Sequence, residues 1–212
     1  MTASFFSTGT VTDNTAIPVT VIIPCFRCSQ TVSRAVESVW QQTQRAVEVI
    51  LVDDASGDRT LDVLDGIRNK YGEWIRVVRL EVNSGAASAR NMGWSMASQP
   101  YIAFLDADDS WNPDKLKIQY EFMKDSPEIT LSGHQCLRSR DVENKPRILI
   151  KPKFRKISSK SLLFSNAFST PTVMEKTIFR FVFKKGSDMQ RISCCGNKLL
   201  LRDCKWRASR VH

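Results

Sequence analysis

The chain has 212 residues, of which 42% are apolar, and this size and composition predict a globular protein of one domain or slightly more. No stretch reaches the roughly 18 unbroken apolar residues that a membrane span requires. Residues 1–17 lack the basic start and apolar core of a signal peptide, so we expect a flexible N-terminus and a cytoplasmic protein.

Short apolar segments alternate with amphipathic segments through the first hundred residues. The apolar segments are rich in β-branched residues and predict buried strands. In the amphipathic segments apolar residues recur at three-to-four spacing, which predicts helices that cover a sheet. The predicted order is a strand over 19–23, a helix over 30–42, a strand over 47–52, a helix capped by Asp58, a strand over 75–80, a helix over 86–97 and a strand over 101–105.

This alternation predicts an α/β fold with a mostly parallel twisted sheet, because each parallel crossover places a helix on one face of the sheet. Ligands of such sheets bind beyond the carboxyl ends of the strands. Asp53 and Asp54 follow one predicted strand, and the acidic segment 106–109 follows another. We therefore expect both acidic clusters to line one crevice. The chain has neither a GxGxxG sequence after the first strand nor a Walker-type phosphate loop, which disfavours dinucleotide-binding and phosphate-loop enzymes.

The positive charge is concentrated near the C-terminus. The formal net charge is +9, and residues 184–212 contain eight basic residues against two acidic ones. A nucleic-acid-binding protein would instead place a basic face with interleaved aromatic residues on its folded body. We therefore expect no nucleic-acid partner. We interpret residues 184–212 as an atypical basic tail that lacks a clear amphipathic period and packs poorly.

Cys25 and Cys28 form a CxxC sequence, which is compatible with zinc or redox chemistry. A structural zinc site needs four ligands, and the chain has no second CxxC or histidine pair at a matching spacing. We interpret the two cysteines as ordinary reduced thiols in a reducing cytosol.

Four segments of the first half carry a specific set of motifs. They are residues 21–26 (VIIPCF), 50–60 (ILVDDASGDRT), 83–93 (NSGAASARNMG) and 103–109 (AFLDADD). In this order and spacing they resemble the signature blocks of bacterial-type family 2 glycosyltransferases, which have the GT-A fold. The resemblance implies a GT-A-like, Rossmann-like half over residues 18–116 that binds a nucleotide-sugar and a metal, followed by a partial acceptor-side half over residues 117–183.

Asp106 and Asp108 form a DxD-type motif at a predicted strand end. When a sugar nucleotide reacts, negative charge grows on the departing nucleoside diphosphate. A divalent cation offsets this charge, and Mg²⁺ characteristically uses one or two carboxylates together with phosphate oxygens. We expect Asp108 to bind Mg²⁺ or Mn²⁺, with Asp106 contacting the ribose or the metal. Without the neighbouring motifs, the same residues could be a solvated acidic turn.

The resemblance also implies residues that bind the base of a nucleotide-diphosphate-sugar donor. Asp54 can accept a hydrogen bond from the base, while Pro24 and Phe26 belong to the block that contacts it, with Phe26 stacking on the ring. Phe26 and Arg27 stand where the family usually has Tyr-Asn, so stacking is kept and one hydrogen bond is lost. Arg27 is interpreted as a solvent-facing substitution, and the base preference stays open. Without the family, Asp53 and Asp54 would be turn and cap residues.

Small residues follow Gly85 at a predicted helix start, so a phosphate of the donor can approach the backbone N–H groups there. Arg90 supplies a guanidinium group either for phosphate or for a carboxylate of the acidic cluster. The alternative is a close-packed helix start with a structural arginine.

The acceptor-side half departs from the family pattern. Residues 131–133 predict a strand and a turn, and residues 168–174 are similar to the segment that precedes the catalytic-base region. The family has a Glu-Asp pair on a helix after that segment. No Glu occurs after Glu175, so the catalytic residue is unknown.

A back-translation of residues 187–196 suggests a cause. With suitable synonymous codons, AGC GAT ATG CAG AGG ATT TCC TGC TGT GGC encodes this segment. Reading the same bases from two positions further on gives Arg-Tyr-Ala-Glu-Asp-Phe-Leu-Leu-Trp, which contains the missing pair. We hypothesise that the chain is translated out of frame from about residues 184–187.

The sequence thus predicts an inverting glycosyltransferase that moves a sugar from a nucleotide-diphosphate-sugar to a hydroxyl of a sugar or lipid-linked acceptor. The resemblance implies bacterial surface polysaccharide or lipopolysaccharide biosynthesis, and a lipid-linked acceptor would suit peripheral association with the inner face of the membrane. The alternative is a shortened nucleotide-sugar-binding remnant that lacks the catalytic base. The sugar, the base and the oligomeric state stay open.

Overall fold

The computed structural model describes residues 16–138, 169–177 and 203–210. All seven elements predicted through residue 105 are present, with ends within two residues of the predicted ones. The helices are α1 (Val32–Trp40), α2 (Thr60–Tyr71), α3 (Ala86–Met96) and α4 (Lys115–Asp125). The strands are β1 (Ile17–Cys25), β2 (Ala46–Asp53), β3 (Ile75–Arg79), β4 (Tyr101–Phe104), β5 (Leu131–Arg138), β6 (Met174–Lys176) and β7 (Asp203–Arg210).

The strands form one sheet in the order β3-β2-β1-β4-β6-β5-β7. The first four strands in this order are parallel to one another. Strand β6 runs antiparallel to both β4 and β5, and β7 is parallel to β5. The predicted α/β class with a mostly parallel sheet is therefore confirmed.

Helices cover both faces of the sheet because side chains alternate in direction along each strand. In β2, Val49 and Leu51 pack in the main core with buried residues of α1, α2 and α4. Ile50 and Val52 point to the other face and pack against Ala89 of α3. The continuous apolar run that predicted β2 is thus explained by burial on both of its faces.

Helix α3 lies unusually close to the sheet at Gly93. A Cβ atom added at this position would lie 2.5 Å from Cγ2 of Ile22 and 3.3 Å from Cγ2 of Val52. Only glycine leaves room for this approach without a shift of the helix or of Ile22. The close packing holds the whole helix, including its first turn, against β1 and β2.

The acceptor-side half differs from the prediction at residues 131–133. We expected a strand and a turn there, but β5 continues to Arg138 because its backbone pairs onward with β7, where Gly133 lies opposite Asp203. The expected turn is therefore wrong. Residues 170–172 form a short 3-10 turn before β6, and the carbonyl oxygen of Pro171 accepts a hydrogen bond from Nε1 of Trp111 at 2.8 Å.

Part of the basic tail forms regular structure. The stretch Asp203–Arg210 forms β7 and pairs with β5, because pairing at a strand edge needs no amphipathic sequence period, and the poor packing expected of the tail stays a prediction. The segment 187–196, which carries the reading-frame hypothesis, lies outside the described residues, as does the predicted flexible N-terminus up to residue 15. Among the residues described, no helix is long and apolar enough to cross a membrane.

Candidate functional site

A cleft of about 580 Å³ lies at the carboxyl ends of β1, β2 and β4. This is the edge at which parallel sheets bind their ligands. The structure brings every residue that the sequence predicted for donor or metal binding into this one cleft, and their individual roles stay predictions. These residues are Pro24, Phe26, Asp54, Gly85, Arg90, Asp106 and Asp108.

Two acidic residues that we expected in the crevice do not line it. Asp53 and Asp109 have only 1% and 3% of their surface exposed. The Asp53 carboxylate accepts a hydrogen bond from the Ser56 hydroxyl and so shapes the turn after β2. The prediction is wrong for Asp53 because consecutive side chains of an extended backbone point in different directions. It is wrong for Asp109 because the chain turns after Asp106, whose carbonyl accepts the Asp109 N–H at 3.0 Å, and the Asp109 side chain is buried.

Asp54 holds the loop that precedes α3. Its Oδ1 accepts a hydrogen bond from the Ser84 N–H at 2.8 Å, and its Oδ2 accepts one from the Gly85 N–H at 2.7 Å. The side-chain amide of Asn83 donates to the Asp54 carbonyl oxygen at 3.2 Å. Such charge-assisted bonds fix the end of β2 against the start of α3, a contact that the sequence did not reveal. The carboxylate oxygens have further lone pairs, so a role toward the base stays a prediction.

The first turn of α3 faces the cleft with small residues. Gly85 has a φ of +87°, a conformation that glycine adopts without steric cost, and its carbonyl accepts the N–H groups of Ser88 and Ala89. The Gly85 N–H is directed to Asp54 rather than to open space. Because the first N–H groups of a helix have no partner within the helix, Ala86 and Ala87 carry the donors that a ligand could use.

Arg90 forms an ion pair with the first aspartate of the DxD-type motif. Its Nη2 lies 2.6 Å from Oδ1 of Asp106, and the two side chains are 13% and 23% exposed. Of the two partners that the sequence left open for Arg90, phosphate or carboxylate, the structure has the carboxylate. The pair fixes one oxygen of Asp106 and leaves the other for a ligand.

Asp108 is exposed and lines the cleft, and its backbone is anchored by a residue of α1. Nη2 of Arg34 donates a hydrogen bond to the Asp108 carbonyl oxygen at 2.7 Å. The two residues are 74 positions apart, and no sequence motif pointed to their contact. This bond holds the backbone of the turn that carries Asp108 and does not involve the Asp108 carboxylate.

The loop after β1 completes the cleft on the side of the β2 turn. Phe26 has 45% of its surface exposed, so its ring can stack on a ligand. Arg27 is exposed, in agreement with its interpretation as a solvent-facing residue, and it also lines the cleft and bonds to Ser56. The lining also contains residues to which the sequence analysis gave no individual role, three of them within the motif blocks. They are Thr31, Asn83, Ala86 and Ala107.

Cys25 and Cys28 are free thiols in the structure and also line the cleft. The hydrogen bond between the two thiols raises the pKa of Cys25, and burial raises it further. The same hydrogen bond lowers the pKa of Cys28. The zinc alternative would need further ligands, and among the described residues no three His, Cys, Asp or Glu side chains are grouped to hold a metal ion.

Glu175, the last glutamate of the chain, is not placed to act on a ligand in the cleft. It lies in β6, has 1% of its surface exposed and is absent from the cleft lining. Burial raises the pKa of its carboxyl group well above the usual range. A carboxyl group that does not reach the cleft cannot take the proton of an acceptor hydroxyl there.

The fold and the cleft together define the class, an α/β protein with a mostly parallel sheet and a cleft lined by carboxylates and an arginine at the sheet edge. Residues 20–183 match the family model for Glycosyl transferase family 2. The chain belongs to this family, as the four motif blocks predicted. The family match ends immediately before the basic tail that begins at residue 184.

Curated relatives match about half of the chain. One relative is the Bacillus subtilis (strain 168) protein TuaG, which is named as a teichuronic acid biosynthesis glycosyltransferase. It is 46% identical over 120 residues, which cover 56% of this chain and 47% of TuaG. The Escherichia coli UDP-Glc:alpha-D-GlcNAc-diphosphoundecaprenol beta-1,3-glucosyltransferase WfaP is 38% identical over 108 residues, which cover 50% of this chain and 41% of the relative. The chain thus spans about half the length of these relatives or less.

Solved structures confirm the GT-A fold. The crystal structure of S. aureus TarS 1-349 in complex with UDP superposes with a TM-score of 0.60 at 25% identity, covering 76% of this chain and 47% of TarS 1-349. The mannosyltransferase PcManGT from Pyrobaculum calidifontis, in complex with GDP-Man and Mn²⁺, superposes with a TM-score of 0.58 at 21% identity. That match covers 75% of this chain and 44% of PcManGT.

Proposed function

We propose that residues 18–116 bind a nucleotide-diphosphate-sugar together with Mg²⁺ or Mn²⁺ and form the donor half of an inverting glycosyltransferase. The observation that carries this proposal is the single cleft that contains the DxD-type aspartates, Arg90 and the first turn of α3. These groups complement the parts of such a donor, since carboxylates bind a hard cation and helix N-termini and arginine bind phosphate.

The carboxylates of Asp106 and Asp108 suit a divalent cation. Both are hard oxygen ligands on the cleft surface, and Mg²⁺ characteristically takes one or two carboxylates while phosphate oxygens and water complete its shell. When bound there, the cation would offset the negative charge of the departing diphosphate. Arg90 orients Asp106 through its ion pair, and Arg34 holds the turn that carries Asp108.

The remaining residues of the cleft would hold the rest of the donor. The N–H groups of Ala86 and Ala87 can donate to phosphate oxygens, because α3 begins there and its N-terminus favours negative charge. Phe26 offers an exposed ring for stacking on the base beside Pro24, and Asp54 keeps lone pairs for a base N–H. The UDP complex of TarS 1-349, a protein with the same fold, supports this use of the cleft.

For the whole protein, we propose transfer of a sugar to a hydroxyl acceptor in the assembly of a bacterial surface polysaccharide. The names of the relatives refer to teichuronic acid biosynthesis and to a diphosphoundecaprenol acceptor, which favour a sugar or lipid-linked acceptor. A lipid-linked acceptor would bring the protein to the inner face of the membrane. Residues 117–183 would contribute to the acceptor side.

The experiment for the donor site measures calorimetric binding of UDP and GDP to the chain in the presence of Mn²⁺. In Asp108→Ala we expect the Mn²⁺-dependent affinity to fall by more than about tenfold, because even residues that only orient a metal ligand contribute about 10–100-fold. Thermal unfolding should not change, since Asp108 is exposed. Asp62→Ala, on the exposed face of α2, is the matched control. Equal Mn²⁺-dependent affinities in Asp108→Ala and the parent chain contradict the assignment.

A second candidate is a nucleotide-sugar-binding remnant without transfer activity. It is favoured by the absence of a Glu-Asp pair after residue 175 and by the family match that ends at residue 183. The two candidates share donor binding and differ in transfer, so release of nucleoside diphosphate with and without an acceptor separates them.

A further inference from the structure

Arg27 is held in a backbone conformation that is unfavourable for its residue type. Its φ is +48°, in the left-handed region that few residues other than Gly, Asn and Asp adopt. Ala55, on the facing turn after β2, has a φ of +52°. Ser56 joins the two segments, because its Oγ accepts the Arg27 backbone N–H at 3.1 Å and its carbonyl accepts Arg27 Nε at 3.4 Å. Strain of this kind is concentrated at ligand sites, where the surrounding structure maintains it.

These contacts place the guanidinium group beside the ring that is proposed to stack on the base. The Arg27 Cζ lies 5.2 Å from the centroid of Phe26, and both residues line the cleft together with Asp54. The guanidinium group donates to the Ser56 carbonyl through Nε and helps to lower the pKa of Asp58 by its charge, so its two Nη atoms carry the donors that a ligand could use. A guanidinium group only donates hydrogen bonds.

The position of Arg27 in the cleft favours the base over the phosphates. The groups that suit phosphate and metal lie on α3 and after β4, at Arg90, Asp106 and Asp108. Arg27 instead lies between Phe26 and the turn after β2. Its free donors therefore face the region in which a base stacked on Phe26 would present its edge.

We infer that Arg27 selects the base of the donor, favouring a base with a carbonyl oxygen at this edge over one with an amino group; the inference rests on the proposed function. Uracil and guanine present a carbonyl oxygen where cytosine and adenine present an amino donor. Two donors facing each other would leave both unsatisfied on binding, which costs affinity. The Asn that the family usually has at this position could serve either edge, because its amide carries both a donor and an acceptor.

The test compares matched nucleotide pairs that differ at this edge. Affinities of the full chain for UDP and CDP, and for GDP and ADP, are measured by calorimetry with Mn²⁺, and inorganic pyrophosphate serves as a probe without a base. We expect the carbonyl-bearing member of the pair that binds to be favoured by about tenfold or more, because each good bidentate contact contributes about 1–3 kcal/mol of discrimination.

Arg27→Asn is the informative variant because Asn tolerates the left-handed conformation and removes only the guanidinium group. We expect its preference to fall by about tenfold, while its affinity for pyrophosphate stays unchanged and its thermal midpoint does not drop. An unchanged preference overturns the inference, as does an equal loss for all nucleotides and pyrophosphate, which would make Arg27 a phosphate ligand. If Asp108-dependent nucleotide binding persists in either case, the proposed function survives. If no nucleotide binds the parent chain, both fail.

Discussion

The two halves of the sheet differ in where they place chemistry. In β3-β2-β1-β4 all neighbours are parallel, so the loops after β1, β2 and β4 meet at one edge and form the cleft. Beyond β4, strand β6 runs in the opposite direction, so its carboxyl end lies at the other edge of the sheet, while β5 and β7 run parallel to each other. Parallel topology therefore concentrates the functional side chains of the first half, while the second half has no such concentration in its described part.

Buried polar groups differ in how they are satisfied, and the difference does not follow the division into halves. Asp54 is bonded at both carboxylate oxygens by backbone N–H groups. Among the described residues, Gln44 Oε1 and Lys115 Nζ before residue 117, and Gln119 Oε1 and Glu175 Oε2 after it, are buried without a hydrogen-bond partner. Burial lowers the pKa of Lys115 and raises that of Glu175. Such groups are costly to bury, so these positions are expected to reduce the stability of the fold.

The sharpest test of the contrast between the two halves restores the alternate reading frame after about codon 186. We expect the 212-residue chain to bind the donor but to transfer its sugar poorly, because a general base contributes about 10²–10⁴-fold to the rate. The restored chain should transfer faster by that factor, measured as nucleoside diphosphate release on addition of a diphosphate-lipid-linked sugar. Replacing the restored Glu and Asp by Gln and Asn is the control. Robust sugar transfer by the 212-residue chain itself would mean that another residue acts as the base.

The next largest effect concerns the Asp54 clamp, the pair of hydrogen bonds that the Asp54 carboxylate accepts from the backbone N–H groups of Ser84 and Gly85. Asp54→Asn keeps the size of the side chain but presents an amide NH₂ to one of the two backbone N–H groups. We expect the free energy of unfolding to fall by about 1.5–3 kcal/mol, the range for hydrogen bonds to charged groups, and the nucleotide affinity to fall with it. Asp62→Asn, on an exposed helix face, is the matched control. Urea unfolding and calorimetry measure both effects, and an unaltered unfolding curve for Asp54→Asn argues against the clamp.

The sequence predicted the first half better than the second for a physical reason. Elements through residue 105 follow from local periodicity, and the cleft residues follow strand ends that topology brings together. Contacts between distant segments, such as Arg34 with the Asp108 carbonyl, have no local pattern. The inward direction of Asp53 and the pairing of β5 with β7 likewise depend on tertiary packing. The spacing of apolar residues along a single sequence does not reveal such packing.

A third test addresses the close packing of α3, which positions Gly85 and Arg90. Gly93→Ala places a methyl group 2.5 Å from Cγ2 of Ile22, so we expect a loss of about 1–3 kcal/mol from overpacking. Gly66→Ala in α2 is the matched control, because nothing lies within 4 Å of the added Cβ. That variant should gain about 0.5–1 kcal/mol from helix propensity. Chemical unfolding of the two variants should give opposite signs, and equal signs would show that α3 adapts without strain.

The smallest effect should come from Glu175 in the second half. Because burial raises its pKa, the folded chain retains a proton that the unfolded chain releases above its ordinary pKa of about 4.3. The contribution to stability is therefore fully present below that pH and is lost as the pH rises toward the folded pKa.

Glu175→Gln keeps the shape of the side chain and removes its titratable carboxyl group. We expect the variant to match the parent near pH 4 and to be more stable at pH 7 and above, by about 1 kcal/mol or more, since an uncompensated buried polar group costs about 1–3 kcal/mol. Unfolding free energies measured from pH 4 to pH 8 check this, with Glu128→Gln, an exposed residue before β5, as the control. A Glu175→Gln variant that is less stable than the parent at pH 7 would show that the carboxylate is ionised and paired in the fold. The cost assigned to burying this carboxyl group would then be wrong.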